Sequence, residues 1–168
     1  MDLALVHSVL AALCPPIYGV SVGNPSDLTA WEILRDGAGT WMPLDTTALP
    51  VAESPVMTSA LSAPDLTQGL SITFTANSAL SGTYPVDPTT QQNLASVSIY
   101  ITVNSKFPAG QTTISWQDIN GNPHSGFTTS QFQAFASAIA DYVAAVDLAR
   151  GVLGIGNPVN WPSASITI

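Results

Sequence analysis

The chain has 168 residues, with three basic side chains (Arg35, Lys106, Arg150) against eleven acidic ones, for a formal net charge of −8. That balance repels phosphate backbones and anionic headgroups, which excludes nucleic acid as an expected partner. The single cysteine, Cys14, excludes a disulfide framework within the chain, and two histidines, His7 and His124, do not make a zinc ligand set.

Charged residues make up 8% of the chain and hydrophobic residues 46%, where an ordinary soluble domain is about 25% charged. Serine and threonine cover part of the surface. The remainder is expected to be apolar surface covered by neighbouring subunits, because interface cores are depleted in charge.

In chain order, Leu3, Val6, Leu10 and Leu13 recur at helical spacing and Pro15-Pro16 ends the pattern, so residues 2–13 read as a short amphipathic helix. The segment resembles a secretion signal only superficially: Asp2 stands where a basic residue is required, and Leu13 is too large for a lipoprotein cleavage site, so it is expected to remain in the mature protein. Cys14 is expected to be a small buried apolar residue. Residues 17–22 and 29–34 alternate like two strands of a hairpin around Gly23-Asn24-Pro25-Ser26-Asp27. From 37 to 69, Pro43, Pro50, Pro55 and Pro64 interrupt any long helix or central strand. That stretch reads as a solvated linker or as an extended arm lying on another chain.

Residues 70–76 alternate as a strand. Asp87 followed by Pro88 is a helix start, since proline lacks the donor that the first helical position cannot use. Leu94, Val97 and Ile101 share a face of that helix, although the β-branched run 96–103 also fits a strand. A hairpin is expected around Asn120-Gly121, between 113–118 and the residues from Pro123 onward. The last helix begins with Thr128 as N-cap and Gln131 three residues on, a capping box, with Phe127 able to staple on Phe132. Phe132, Phe135, Ala136, Ile139, Tyr142, Val143 and Val146 form one apolar face, and Gly151 after Arg150 is the expected stop. The tail ends in Ser-Ala-Ser-Ile-Thr-Ile, which could add as an edge strand. No uninterrupted apolar run reaches the ~18 to 20 residues of a membrane span, so no membrane insertion is expected.

Several patterns resemble catalytic or binding motifs. Gly19-Val20-Ser21-Val22-Gly23 matches the nucleophile elbow by letter, but an elbow needs a helix directly after the serine, and a second strand is expected here. Asp118, Asn120 and Asn122 match the first ligands of a calcium loop, yet Pro123 replaces the required glycine and Thr129 the bidentate glutamate, which favours a hydrogen-bonded turn. His124 beside that turn reads as a residue that caps backbone groups or packs on an aromatic neighbour, since a base needs a placed partner. Trp31, Trp41, Trp116 and Trp161 are the candidate interface or binding residues, as core or contact anchors or as a sugar-stacking platform.

Gly82-Thr83-Tyr84, Asp87-Pro88-Thr89-Thr90-Gln91, Asn104-Ser105-Lys106-Phe107-Pro108, Trp116-Gln117-Asp118, Gly121 to His124 and Phe132-Gln133-Ala134-Phe135 running into Asp141-Tyr142-Val143 carry a resemblance. Together they make 71–148 similar to an uncharacterised family of small phage and prophage proteins, related to domains near tail-fibre genes. Gly19-Val20-Ser21-Val22 with Thr29-Ala30-Trp31-Glu32-Ile33 resembles the N-terminal hairpin such proteins carry. The proline-rich stretch 37–69 departs from the family, standing where a helix-forming segment rich in alanine and glutamine is expected. The resemblance implies a virion-associated, tail-related component and no catalytic residues.

The expected fold is α+β: an N-terminal helix and β-hairpin (1–36), a proline-rich arm (37–69), a C-terminal domain of two helices with a strand and hairpin (70–150), and an extended tail (151–168). The expected role is a non-enzymatic structural or adaptor subunit of a bacteriophage particle, made in the bacterial cytoplasm and contacting other virion proteins, without a cofactor. Tail or tail-fibre attachment is the first station, with head decoration or a receptor- or glycan-binding module as alternatives.

Overall fold

The structure, a computed structural model, describes residues 19–24, 27–34, 41–43 and 55–168. The expected helix over 2–13, Cys14, His7 and most of the arm from 37 to 54 lie outside the described residues. The fold is α+β. It divides into two compact units, one holding the described residues up to Pro64 with Val146–Trp161, the other Asp65–Ala145 with Pro162–Ile168.

In the first unit, β1 (Gly19–Asn24), β2 (Asp27–Leu34) and β3 (Trp41–Pro43) form an antiparallel sheet in that order. The hairpin register sets Ser21 opposite Glu32 and Val22 opposite Trp31, and β3 extends it with Trp41 opposite Leu34. Three residues are too few to show alternation, which is why β3 was invisible in the sequence. The arm is not extended throughout: Pro55–Leu61 is a helix, α1. No proline falls between Pro55 and Pro64, and a proline opening a helix sacrifices only an N–H that has no intrahelical acceptor. Ser59, buried in α1, ties it to the chain a hundred residues on. Its hydroxyl accepts from the Val159 amide at 3.0 Å and lies within donating distance of the Pro55 and Val159 carbonyls at 2.9 and 3.0 Å.

The second unit is built on β4 (Leu70–Thr73), flanked by antiparallel β5 (Gly82–Tyr84) and parallel β8 (Ser165–Thr167). The tail therefore adds an edge strand, as expected for its closing Ser-Ala-Ser-Ile-Thr-Ile. Beside this sheet stand the hairpin β6 (Ile114–Gln117) and β7 (Pro123–Phe127) and two helices. Helix α2 is Pro88–Asn104. The Asp87 carboxylate accepts the amides of Thr89 and Thr90 at 2.9 and 3.1 Å, with Pro88 in the first turn. The helix also absorbs the ambiguous run 96–103, and Ser105, at φ 55°, closes it by donating its N–H to Ile101.

Helix α3 is Thr129–Gly154, with its first residues in the second unit and its last in the first. The capping box is present: the Thr128 amide donates to Gln131 Oε1 at 3.1 Å and the Gln131 amide to Thr128 Oγ1 at 3.4 Å. Phe127 staples on Phe132, ring centroids 6.2 Å apart. The helix does not stop at Gly151. Val152 and Leu153 keep the apolar spacing, Leu153 is fully buried, and the terminator is Gly156 at φ 82°. There the Gly156 and Asn157 amides donate to the Leu153 and Val152 carbonyls, the crossed pair of bonds that ends a helix when glycine can turn left-handed.

All five phenylalanines of the chain, Phe74, Phe107, Phe127, Phe132 and Phe135, are buried in the second unit and form one cluster with Tyr84 and Trp116. Most pairs meet edge to face, the arrangement the ring quadrupole favours. Tyr84 and Phe135 lie 4.6 Å apart at the centre.

Candidate interaction surface

The tryptophans are divided between the two units, Trp31, Trp41 and Trp161 in the first and Trp116 in the second. Trp31 and Trp41 occupy neighbouring strands, Trp31 paired with Val22 and Trp41 with Leu34. Trp41 is 45% exposed. Trp116, half-buried, packs on Phe132 at 5.4 Å and on Phe135 at 6.3 Å, an anchor of the second unit's core. Trp161 is held in the first unit, its indole N–H donating to the Ser59 carbonyl at 2.6 Å.

Ser21 lies within β1, opposite Glu32, and the chain continues into β2 without the helix a nucleophile elbow requires. At the other motif, Asp118 Oδ1 accepts the amides of Asn120 and Asn122 at 2.9 and 2.8 Å, and Oδ2 accepts the Asn122 side-chain amide at 3.0 Å. Those bonds, the Asn122 amide group first, hold the Asp118 carboxyl below its ordinary pKa. The carboxylate thus organises a hairpin turn. His124 does what a lone histidine beside a turn was expected to do. Its Nδ1–H donates to the Ala79 carbonyl at 2.9 Å, its ring packs 5.4 Å from Tyr84, and its Nε2 lies 3.6 Å from Asp118 Oδ2. Among the described residues no group of three or more histidine, cysteine, aspartate or glutamate side chains converges on a point.

Charge in the second unit is scarce and mostly structural. Its charged side chains are Asp65, Asp87, Lys106, Asp118 and Asp141. Asp65 accepts the hydroxyl and amide of Thr67, and Asp87 the hydroxyl of Thr90 with the amides already named. The threonine hydroxyls are the leading cause that lowers both carboxyl pKa values. Three of four carboxylates therefore face their own backbone.

Helix α2 carries no charged residue at all, PTTQQNLASVSIYITVN. Leu94 and Ile101 turn inward and are buried, whereas Ile99 and Val103 are 66% and 75% exposed on the opposite side. An isolated exposed apolar side chain is ordinary; two, four residues apart on a charge-free helix, form a stripe. Beside that stripe a cleft of about 620 Å³ separates α2 from α3. Buried Leu94 and Ile139 form its floor, and Ala95, Ala136 and Ala140 line its walls. Ser98 Oγ, enclosed at the same cleft, has no hydrogen-bond partner among the described residues. At one point α2 and α3 are bridged, by Gln133 Nε2 donating to Thr102 Oγ1 at 3.4 Å. Sequence reading passed over this surface. The absence of charge from 88 to 104 was legible, but which apolar residues face outward was not.

By length and composition alone α3 could also cross a membrane. The search for an apolar run missed this because Gln133, Ser137 and Asp141 interrupt it. Phe132, Phe135, Ile139, Tyr142 and Val143 fill the protein core instead, as in the central helix of a folded domain.

The fold and this surface define a small α+β protein with an aromatic core and a charge-poor exterior. The chain belongs to the family described as a domain of unknown function, DUF4376, whose model matches residues 59–150, more than half of its length. No curated protein and no solved structure matches it.

Proposed function

We propose that the protein is a non-enzymatic structural or adaptor subunit of a bacteriophage particle, attached at the tail or tail fibre and acting through contacts with other virion proteins. The observation that carries this reading is the second unit's surface, where most carboxylates serve as caps and a whole helix presents Ile99 and Val103 without a charge. Such a surface matches the core of a protein interface, where charge is depleted. It supports assembly over glycan binding, because Trp116 and Trp161 are half-buried and engaged within their own units, and among the candidates whose burial is described Trp41 alone is mostly exposed.

Mass spectrometry of purified particles tests the reading directly. The protein is expected among the virion components, and deletion of its gene is expected to abolish complete, tailed particles. If deletion instead leaves normal particles that fail to adsorb to host cells, a receptor-binding role replaces the adaptor one. Particles of full composition lacking the protein would overturn the virion reading.

A further inference from the structure

We infer that Asn120 is a site of spontaneous deamidation, and that Asp118 holds the reaction in check for as long as the hairpin turn is intact. Of the asparagines in the chain, Asn120 alone precedes a glycine, whereas Asn24, Asn122 and Asn157 precede proline, which has no N–H to lose. In the reaction the Gly121 nitrogen gives up its proton and attacks Cγ of the Asn120 carboxamide. The bond from that nitrogen to Cγ forms, the bond from Cγ to the side-chain nitrogen breaks, and ammonia departs, leaving a cyclic succinimide. Water then opens the ring at either carbonyl to give aspartate or isoaspartate at position 120.

The site is open to this chemistry. Asn120 and Gly121 are exposed, and no atom lies within 4 Å of where a Gly121 Cβ would stand. The Asn120 side chain makes no hydrogen bond among the described residues, whereas that of Asn122 donates to Asp118 Oδ2. What opposes the reaction is the turn. The Gly121 N–H donates to the Asp118 carbonyl at 3.0 Å, so the proton that must leave is held in a hydrogen bond. The Asp118 carboxylate fixes the residues on either side of Gly121 through the Asn120 and Asn122 amides, and the Asp118 N–H donates to the Asn122 carbonyl at 2.9 Å. Its negative charge also disfavours the anion that forms at Cγ during attack. The product works against the same turn. Aspartate at 120 adds a charge near Asp118, and isoaspartate lengthens the backbone by a methylene between β6 and β7. Because the Ile119 N–H donates to the Thr83 carbonyl at 2.8 Å, the altered turn is the one that ties this hairpin to β5. None of this rests on the virion reading.

The test incubates the full chain at mildly alkaline pH, where the Gly121 nitrogen loses its proton more readily, and follows position 120 by peptide mass spectrometry with an isoaspartate assay. Asn120 is expected to deamidate before any other asparagine, slowly in the folded chain and several-fold faster in guanidinium chloride. Asp118→Ala should raise the folded-state rate several-fold, and Asp118→Asn, which keeps an oxygen acceptor, should raise it less. Asp87→Ala removes a cap from α2 and leaves the turn alone, so it separates loss of the guard from loss of stability and should not speed the reaction. Another asparagine reacting first, or no reaction at 120 in guanidinium chloride, overturns the inference. So do equal rates in the folded and unfolded chain, or a rate raised as much by Asp87→Ala as by Asp118→Ala.

Discussion

Tyr84 shows how a single side chain can be fixed from several directions. Its ring is fully buried among Phe127, Phe135 and His124, and its hydroxyl donates to the Leu80 carbonyl. Burial, and secondarily the charge of Asp118, push its pKa up to about 12. The folded state thus favours the neutral phenol. That contribution to stability is complete below the unfolded value of about 10 and is lost as pH rises toward 12. In a titration followed by phenolate absorbance, Tyr84 is expected to ionise late, and Tyr84→Phe should remove that step. The substitution should also cost about 1–3 kcal/mol by leaving a buried carbonyl unpaired. The aspartates act in the opposite sense. Asp65, Asp87 and Asp118 are held below their ordinary pKa, so their contribution is present at neutral pH, above about 3.9, and is lost as pH falls through the lowered values. Melting temperature should therefore fall as pH drops below that value, and Asp87→Asn, an N-cap without a charge, should reduce the fall. Gly69 is a third fixed point. Its φ is 74°, and a Cβ there would stand 2.6 Å from the Tyr84 carbonyl oxygen, so Gly69→Ala is expected to lower stability in urea unfolding. The backbone strain alone is worth about 1–3 kcal/mol.

Helix α3 was the best-specified element in the sequence, and its register came out as the spacing required. Phe132, Phe135, Ile139, Tyr142, Val143 and Val146 are all buried, and Ser137 is exposed. Phe135→Ala is expected to cost about 3–5 kcal/mol in chemical denaturation, and Ser137→Ala under about 0.5 kcal/mol. Equal tolerance at the two positions would show the helix packed in another register. Gln133 is less free than its spacing implied. It is half-buried and reaches Thr102 on α2, so Gln133→Ala should cost somewhat more than Ser137→Ala. Helix α2 was the harder element. Its β-branched run fits a strand as well as a helix, and the Asp87-Pro88 start and the Ser105 cap decide the matter by supplying partners for both ends.

At the scale of the whole molecule, the second unit's sheet is completed from the far end of the chain. β8 pairs in parallel with β4, and the Ile168 amide donates to the Thr73 carbonyl at 2.9 Å while the Thr75 amide donates to the Ile168 carbonyl at 2.8 Å. Deleting residues 163–168 leaves the polar edge of β4 unpaired. That variant is expected to melt at a lower temperature and to aggregate, as measured by calorimetry and light scattering, because an open strand edge templates pairing with other chains.

Local rules settled much of this protein from the sequence alone. Asp87-Pro88 and Thr128 with Gln131 set helix starts because capping is a contact between near neighbours, and the Asn120-Gly121 turn and the apolar face of α3 follow from equally short-range geometry. The α+β class follows from those elements. Other features rest on residues far apart in sequence. Helix α1 is tied through Ser59 to Val159, a hundred residues on. Trp161 is fixed by Ser59, and five scattered phenylalanines meet in one cluster. The exposed stripe of Ile99 and Val103 belongs with these, because the same β-branched residues could have been core or surface until the rest of the fold chose which side of α2 to cover.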